Sequence, residues 1–347
     1  MRYTIEDVAK EARVSISTVS RVLNNNYPVK KETRKRIEEA IKLMDYKPNP
    51  LARSLVSGKS NIIGVLVPNL KSLIYTEMIS YIEENLSGSG YDVMITTTNS
   101  KAEEEYEAIN RFLDRSVDGM IIIETELSKK DDFLVKTMEN TPVIFVNAHD
   151  EGKNNVYVDN NDAVENVINY FLKLGHIKVA IVSEKNNKVH DECIKHYKEH
   201  TRKQEMYPIV ITVESHDLDD ETVDILKEIT NKGYDLGQDI TAFIVCDDLV
   251  MMRVVKSLRE REISIPKDIS IINLKNTTIS KFVHPSISTI DISPKKIADI
   301  VSNKIVTLLE NKEVVIDSEK VFTGIIERDS CKSLRRIIKN KLEDHFL

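Results

Sequence analysis

Short runs of Val and Ile alternate with amphipathic stretches from residue 61 onward, and this alternation limits the fold more than any other feature. Continuous apolar runs are typical of parallel strands that are buried on both faces. Helices are predicted between the runs, for example over Glu103–Arg115, Ala163–Leu174 and Leu249–Arg261. The order predicts an α/β fold with parallel sheets, and the strands are numerous for a single sheet. The predicted strands are residues 61–67, 91–97, 119–123, 142–147, 155–160, 178–183, 208–213, 242–246, 270–273 and 287–292.

The length of 347 residues exceeds what a single hydrophobic core usually supports, so two or three domains are expected. No stretch approaches the roughly 18 apolar residues of a membrane span, and charges interrupt the opening sequence MRYTIEDVAKEA. We therefore expect a cytoplasmic protein without a membrane partner. Three widely spaced cysteines, Cys193, Cys246 and Cys331, argue against a disulfide framework or a zinc site and favour buried thiols.

Charge is distributed unevenly along the chain. Residues 1–60 hold 13 Lys and Arg against 7 Asp and Glu, whereas the remaining residues have a net charge of −13. A basic segment on an acidic body favours a polyanionic partner for the basic segment. Charge alone leaves open whether that partner is a nucleic acid.

Three short amphipathic helices are predicted in the basic segment. Thr4 can cap the first helix, with Asp7 completing a variant of the capping box, and Ser15 can cap the second. The tight turn between these two helices predicts a helix-turn-helix unit. The apolar sides are Ile5, Val8, Ala9 and Ala12; then Ile16, Val19, Val22 and Leu23; then Val29, Thr33, Ile37, Ala40, Ile41 and Met44.

The second helix is unusually rich in hydroxyl side chains. Its outward-facing residues are Ser17, Thr18, Ser20, Arg21 and Asn24. Small hydroxyls allow a helix to lie deep in a DNA major groove and to donate to phosphates, while arginine can bind guanine through two hydrogen bonds. The alternative is a solvated face on a small interaction bundle.

The segment after the third helix has two possible structures. Pro48 and Pro50 end the helix, and residues 51–57 could form a short helix with an apolar face. Such a helix needs a partner, which would be a second subunit or DNA. The alternative is a plain flexible tether, with which Gly58 is consistent.

Several segments together resemble the LacI/GalR family of bacterial transcription regulators. The resemblance is dense over residues 2–68, in YTIEDVAKEARVSISTVSRVLNNN, ETRKRIEEAIKLMDYKPNPLARSLVSGKS and IIGVLVPN. It continues through SVDGMIII, VYVDN, LGHIKVAIV, CDDLVMMRVVKSLREREISIPKDISII and IIERDSC, and so covers essentially the whole chain.

The resemblance implies roles for residues of the basic segment. Ile16, Ser17 and Arg21 match positions that read bases, and Ser15, Thr18, Ser20 and Asn24 match positions that hold phosphates. Leu51, Ala52, Arg53 and Leu55 match a hinge helix, whose leucine inserts into the DNA minor groove. Two residues depart from the family pattern: Arg13 replaces a turn glycine, and Lys30 replaces a capping serine.

The resemblance also implies the organisation of the whole chain. Expected are a helix-turn-helix domain over 1–47, a hinge over 48–60, a two-lobed effector-binding and dimerisation domain over 61–329, and a helical tail over 330–347. The two-lobed domain would resemble periplasmic binding proteins, with chain crossovers near 159–161, 291–293 and 321–324. The tail, with Leu334, Ile338 and Leu342 spaced four apart, would pack on its own body or join two dimers into a tetramer.

The expected ligand cleft differs from that of sugar-binding family members. Its candidate residues are Tyr75, Asn147, Cys193, Asp247 and Lys275. Cys193 replaces an arginine, and Lys275 replaces an aspartate that binds sugar. The expected effector is therefore a sugar, a sugar phosphate or another anion, and a protein partner or the absence of a small ligand remain alternatives.

Enzymatic signatures are absent from the sequence. It contains no dinucleotide fingerprint, Walker A motif, nucleophile elbow or HExxH motif, and SGSG at 87–90 follows a helix. His196 and His200 have the spacing of helical metal ligands, but no third ligand accompanies them. We expect no catalysis, no cofactor and no metal. The expected function is a dimeric DNA-binding repressor; the alternative is a carbohydrate-binding or sugar-processing protein with an incidental basic segment.

Overall fold

The computed structural model describes residues 3–24, 28–47, 58–128, 130–148, 153–185, 187–214, 225–311 and 314–334. It begins with a helical head made of α1 (Ile5–Glu11), α2 (Ile16–Asn24) and α3 (Lys31–Leu43). The side chains of Val8, Val19 and Ile37 are completely buried where the helices meet. The predicted helix-turn-helix unit is therefore confirmed.

Local hydrogen bonds explain where the head helices begin. The hydroxyl of Thr4 accepts from the N–H of Asp7 at 3.3 Å, and the Asp7 carboxylate accepts from the N–H of Thr4 at 2.8 Å. This capping box confirms the prediction for α1. Lys30, which precedes α3, makes no capping bond with its side chain, as expected for a lysine at that position.

The body continues with alternating strands and helices. The first part contains β1 (Ile62–Val67), α4 (Leu73–Gly88), β2 (Asp92–Thr97), α5 (Ala102–Asp114), β3 (Gly119–Ile123), α6 (Asp132–Asn140), β4 (Val143–Val146) and β5 (Asn155–Val158). The second part contains α7 (Asn160–Leu174), β6 (Val179–Glu184), α8 (Lys188–Lys203), β7 (Ile209–Val213), α9 (Ile225–Asn231), β8 (Ala242–Val245), α10 (Asp248–Glu260), β9 (Ser270–Asn273), α11 (Thr278–Phe282) and β10 (Ser288–Ile290). The last elements are α12 (Pro294–Glu310), β11 (Glu319–Val321) and β12 (Ile325–Ile326).

The strands form two sheets, each the centre of one lobe. The N-lobe sheet has the order β11-β5-β4-β3-β1-β2, and the C-lobe sheet has the order β12-β10-β9-β8-β6-β7. All pairs are parallel except β10 with β12. Because α4 packs on α12 in the N-lobe and α7 packs on α8 in the C-lobe, both sheets are covered by helices.

The described part of the chain passes between the lobes three times. It crosses from β5 to α7 near residue 159, from β10 to α12 near residue 292, and from β11 to β12 near residue 323. These are the crossovers that the family resemblance implied. The ten predicted strands are present, but β11 and β12 were missed because each is too short to form an apolar run.

One predicted helix starts three residues too late. The helix predicted from Ala163 begins at Asn160, because the Asp159 carboxylate accepts from the N–H groups of Asn161 and Asp162 at 3.0 and 3.2 Å. The helix therefore starts directly at the first crossover. No helix within the described part of the chain is both long and apolar enough to cross a bilayer.

Residues 330–334, which begin the predicted tail, pack against the C-lobe. The Ser330 hydroxyl donates to the carbonyl of Ile271 at 2.6 Å, and the N–H of Leu334 donates to the carbonyl of Leu174 at 2.8 Å. The rest of the predicted tail helix, with Ile338 and Leu342, lies outside the described residues.

Candidate functional site

The first candidate site is the solvent-facing side of α2. Ser15 caps this helix, since its hydroxyl accepts from the N–H of Thr18 at 3.3 Å. The same hydroxyl lies 2.8 Å from the hydroxyls of Ser17 and Thr18. Arg21 is exposed one turn further along. The arrangement presents a group of hydroxyls and one guanidinium on a single surface, as a nucleic-acid contact requires.

Ile16 corrects one sequence prediction and is consistent with another. It was predicted on the buried side of α2 with Val19 and Val22, yet 45% of Ile16 is exposed while the two valines are buried. Ile16 is therefore available to contact a base, for which apolar side chains can use the methyl group of thymine. Ser20 is half-buried. The side chain of Asn24 and the hinge residues Leu51, Ala52, Arg53 and Leu55 lie outside the described residues.

The turn that leads into α2 is held from α3. Arg13 has a φ of 51°, in the left-handed region where the family's usual glycine is favoured. The Arg36 guanidinium donates to the carbonyls of Ala12 and Arg13, the latter at 3.2 Å. Lys10 and Arg13 line the same surface concavity as Ser15. Lys10 and Arg13 thus add basic side chains beside the hydroxyls at the start of α2.

The second candidate site is a cavity of about 300 Å³ between the lobes. The N-lobe contributes the loop after β1 and the start of α4, including Tyr75. The C-lobe contributes residues at the carboxyl ends of β6, β8 and β9, namely Glu184, Asp247 and Lys275, together with His190 of α8. Carboxyl ends of parallel strands are the usual ligand-binding edge of such sheets.

His190 and Asp247 form a hydrogen-bonded pair on the C-lobe side of the cavity. The Nδ1 atom of His190 accepts from the N–H of Glu184 at 3.1 Å, so the imidazole proton belongs on Nε2, which lies 3.1 Å from Asp247 Oδ2. Asp247 also caps α10, because its Oδ1 accepts from the N–H of Val250 at 2.8 Å. Burial opposes ionisation, but these two bonds and nearby Lys275 lower the pKa of Asp247 below its ordinary value.

The pKa of Asp248 is shifted in the opposite direction from that of Asp247. It is buried although it contributes to the lining of the cavity, and its Oδ1 accepts from Asn273 Nδ2 at 2.8 Å and from Ser280 Oγ at 3.4 Å. Burial and the neighbouring Asp247 raise the pKa of Asp248 to about 6, against the lowering effect of its hydrogen bonds and Lys275. Asp248 therefore joins β9, α10 and α11 and carries a structural role.

A smaller cavity of about 30 Å³ adjoins the first and contains the remaining N-lobe candidates. The Tyr75 hydroxyl donates to the Glu124 carboxylate, and burial together with this carboxylate raises the pKa of Tyr75 well above its ordinary value. Asn147 lines the cavity, and its side-chain oxygen accepts from the N–H of Val158 at 3.0 Å. Lys275 lines both cavities, so the two are parts of one cleft.

Polar contacts join the lobes across this cleft. Lys188 of α8 forms an ion pair with Glu126, which follows β3 in the N-lobe. On α11, the N–H of Thr278 donates to Glu77 Oε1 of α4 at 2.9 Å. At the crossovers, Lys320 lies 2.7 Å from Asp159 and 2.6 Å from Asp162. The described conformation is therefore one in which the lobes are in direct contact.

The structure does not bring every predicted residue to the cleft. Cys193 is only 4% exposed and is not among the residues that line either cavity, so its place in the effector site stays a prediction. His200 lines neither cavity and lies 2.8 Å from Asn161, whereas His196 lies near Glu192 and Glu199 on its own helix. Among the described residues, the side chains close enough to share a metal ion are instead Glu184, His190 and Asp247.

Sequence reasoning missed Glu124 and Glu184. Both follow a predicted strand directly, as Asp247 does, and this position was the signal that could have identified them. The position alone is a weak signal, because acidic residues commonly follow strands and only the facing of the two lobes brings these carboxylates into one cleft.

Comparison with known proteins agrees with this architecture. The model of bacterial regulatory proteins of the lacI family matches residues 4–49, and that of a periplasmic binding protein-like domain matches residues 168–331. A crystal structure of the lac repressor dimer bound to operator and the anti-inducer ONPF is similar, with a TM-score of 0.84, 21% identity, and coverage of 96% of this chain and 100% of that chain. A complex of the regulator CelR with cellobiose has a TM-score of 0.64 at 19% identity, covering 95% and 100% of the two chains.

Sequence relatives extend over almost the whole chain. Catabolite control protein A of Priestia megaterium is 29% identical over 92% of this chain and 96% of its own length. The HTH-type transcriptional regulator RegA of Clostridium acetobutylicum is 30% identical over 96% of this chain and 100% of its own length. Taken with the head and the two lobes, this similarity shows that the chain belongs to the lacI family of bacterial regulatory proteins and is a DNA-binding transcriptional regulator.

Proposed function

We propose that the regulator is a cytoplasmic homodimeric repressor that binds a pseudo-palindromic operator, with one α2 helix in each of two major grooves. The observation that carries this proposal is the outer face of α2, where Ser15, Ser17, Thr18 and Arg21 are presented together on a basic head. The lac repressor structure, a dimer bound to operator, supports the dimeric arrangement.

Each exposed group of the head has a proposed role. Ile16, Ser17 and Arg21 read bases, while Ser15, Thr18, Ser20 and Asn24 hold phosphates. Leu51, Ala52, Arg53 and Leu55 form the hinge contact with the minor groove. The short hydroxyl side chains support the phosphate role because they leave room for close approach of the helix to DNA.

The proposed domains are a DNA-binding head over 1–47, a hinge over 48–60, an effector-binding and dimerisation domain over 61–329 and a tail over 330–347. A small ligand in the interlobe cleft would change the DNA affinity by binding the two lobe arrangements unequally. The contacts of Lys188 with Glu126 and of Thr278 with Glu77 support this coupling, since both would change when the lobes separate. The cleft is proposed as a binding site without catalysis.

Selection from a random pool of DNA duplexes tests the function directly. The full-length protein at physiological salt should enrich a sequence with two-fold symmetry, because two identical heads contact two half-sites. The absence of any enriched symmetric sequence would contradict the proposal.

The substitution Arg21→Ala tests the reading of bases. We expect it to reduce discrimination between the selected operator and random DNA by about 1–3 kcal/mol, because one two-bond contact with guanine is lost. Fluorescence anisotropy of labelled duplexes measures both affinities. The matched control is Lys35→Ala, which removes one positive charge from the exposed side of α3. The control should weaken binding to the operator and to random DNA by the same factor. Equal discrimination between the two duplexes in Arg21→Ala and in the control would contradict the role of Arg21.

A further inference from the structure

Two opposite charges in the interlobe cleft have no partner in the described part of the protein. The Glu184 carboxylate and the Lys275 ammonium line the same cavity of about 300 Å³, and neither makes a hydrogen bond or ion pair with another described side chain. Both are half-buried, so water compensates them only in part. A ligand that supplies the complementary charges would relieve both desolvation costs.

The acidic side of the cleft is arranged for a cation. The side-chain ligand atoms of Glu184, His190 and Asp247 all lie within 4.8 Å of one another. Asp247 is ionised at neutral pH, since its hydrogen bonds and Lys275 outweigh its burial and lower its pKa. A carboxylate has about four acceptor sites, so each of the two acids can accept further hydrogen bonds.

The tautomer of His190 favours an ammonium group over a metal ion as the cation bound by these residues. Its Nδ1 accepts from the backbone N–H of Glu184, and its Nε2–H points to Asp247. A metal ion on Nε2 would require the proton to move to Nδ1, where it would meet the N–H of Glu184. A primary ammonium needs no such exchange, because it donates hydrogen bonds to Glu184 and Asp247 and leaves His190 unchanged.

The basic side of the cleft is formed by Lys275. This residue follows β9 and lines both the large and the small cavity. Its charge acts on Asp247 through space without a direct bond. A purely anionic ligand would approach Lys275 but would be repelled by Glu184 and Asp247, and a neutral ligand would leave both charges uncompensated.

We infer that the effector is a small zwitterion of about the size of a hexose derivative, with a protonated primary amine held by Glu184 and Asp247 and a phosphate or carboxylate held by Lys275. The inference rests on the proposed role of the cleft as the effector site. The sequence predicted a sugar, a sugar phosphate or another anion as the effector. The structure instead favours a ligand that carries both a positive and a negative charge.

A matched set of four compounds tests this class. Glucose, glucosamine, glucose 6-phosphate and glucosamine 6-phosphate share one ring and vary the amine and the phosphate independently. Isothermal titration calorimetry with the full-length protein at neutral pH should give the tightest binding for glucosamine 6-phosphate. We expect it to bind at least about tenfold more tightly than either singly charged compound, with glucose the weakest.

Two variants assign the charges. Glu184→Gln should weaken binding of the two aminated compounds about tenfold and leave that of glucose 6-phosphate unchanged. Lys275→Gln should weaken binding of the two phosphorylated compounds about tenfold and leave that of glucosamine unchanged. The control variants are Glu214→Gln and Lys178→Gln, whose side chains form exposed ion pairs outside the cavity, and these should bind like wild type. Circular dichroism establishes that each variant is folded.

Several results would overturn the inference. They are equal binding of glucose 6-phosphate and glucosamine 6-phosphate, unchanged binding in Glu184→Gln, or no binding of any of the four compounds. Stoichiometric binding of Zn²⁺ alone, if it is lost in Glu184→Gln, would show that the acidic residues form a metal site and would overturn the ammonium assignment. Operator selection without ligand is independent of all these outcomes, so failure here is distinguishable from failure of the proposed function.

Discussion

The head and the interlobe cleft place their functional groups in contrasting ways. In the head, Ser15, Ser17 and Arg21 come from one helix and its cap, and they are exposed to solvent. In the cleft, Tyr75 and Lys275 come from different lobes and are brought together only by the tertiary fold. The head is therefore a surface that a polyanion can approach from outside, whereas the cleft must be assembled before it can bind anything.

The two regions also differ in how their polar groups are satisfied. The hydroxyls at the start of α2 bond mainly to one another and can exchange those bonds for DNA phosphates. The cleft residue Asp247 is held by His190 and the backbone of Val250, and Asp248 is held by Asn273. This difference implies that changes to the exposed hydroxyls of α2 affect DNA binding alone, whereas changes to the cleft residues also affect the stability of the body.

Ile37→Ala should break the head while leaving the body intact. Ile37 of α3 is fully buried in the head, and truncating such a side chain costs about 2–5 kcal/mol, which a domain of this size can hardly tolerate. DNA binding by anisotropy should be lost, while the thermal unfolding of the body is unchanged. The control is Leu43→Ala on the same helix, where the side chain is 76% exposed. Equal DNA binding in both variants would contradict the description of the head core.

Asp247→Ala should destabilise the body without unfolding the head. It removes a helix cap and leaves the buried Nε2–H of His190 without its acceptor, for a combined cost of about 2–4 kcal/mol. Urea unfolding of the body measures the loss. Ser293→Ala is the control, because Ser293 only caps α12, through the N–H of Lys296 at 3.3 Å. A loss no larger than that of the control would show that the His190–Asp247 bond contributes nothing.

The same contrast explains what could be predicted from sequence. The strands β1–β10 were predictable because each is an apolar run between helical segments, and the outer face of α2 was predictable because its residues are contiguous. β11 was not, since it contains Glu319 and Lys320 and is placed by backbone pairing with β5. Its role becomes visible only when Lys320 is seen beside Asp159.

The cleft could be predicted only in part, and mainly through the family resemblance. Asp247, Tyr75 and Lys275 do line the cavities, but Cys193 is buried and is not among their lining residues. The bond between His190 and Asp247 depends on the positions of α8 and β8 within the sheet, which no local pattern encodes. Ile16 shows the same limit within the head, since helical periodicity assigned it to the core while the turn at Arg13 leaves it exposed.

Asp248→Asn should change the pH dependence of the body by a smaller amount. The folded pKa of Asp248 is about 6, above the unfolded value of about 3.9, so the folded state keeps a proton that the unfolded state releases. The stability from this proton is complete below the unfolded pKa and is lost as the pH rises through 6. Between pH 5 and 7, wild type should therefore lose about 1 kcal/mol relative to Asp248→Asn, in which the amide oxygen can still accept from Asn273. Urea midpoints across this range measure the difference, with Asp114→Asn, exposed at the end of α5, as a control that should follow wild type. Parallel curves for wild type and Asp248→Asn would mean that Asp248 is ionised in the folded protein, and the contrast between its environment and that of Asp247 would then be wrong.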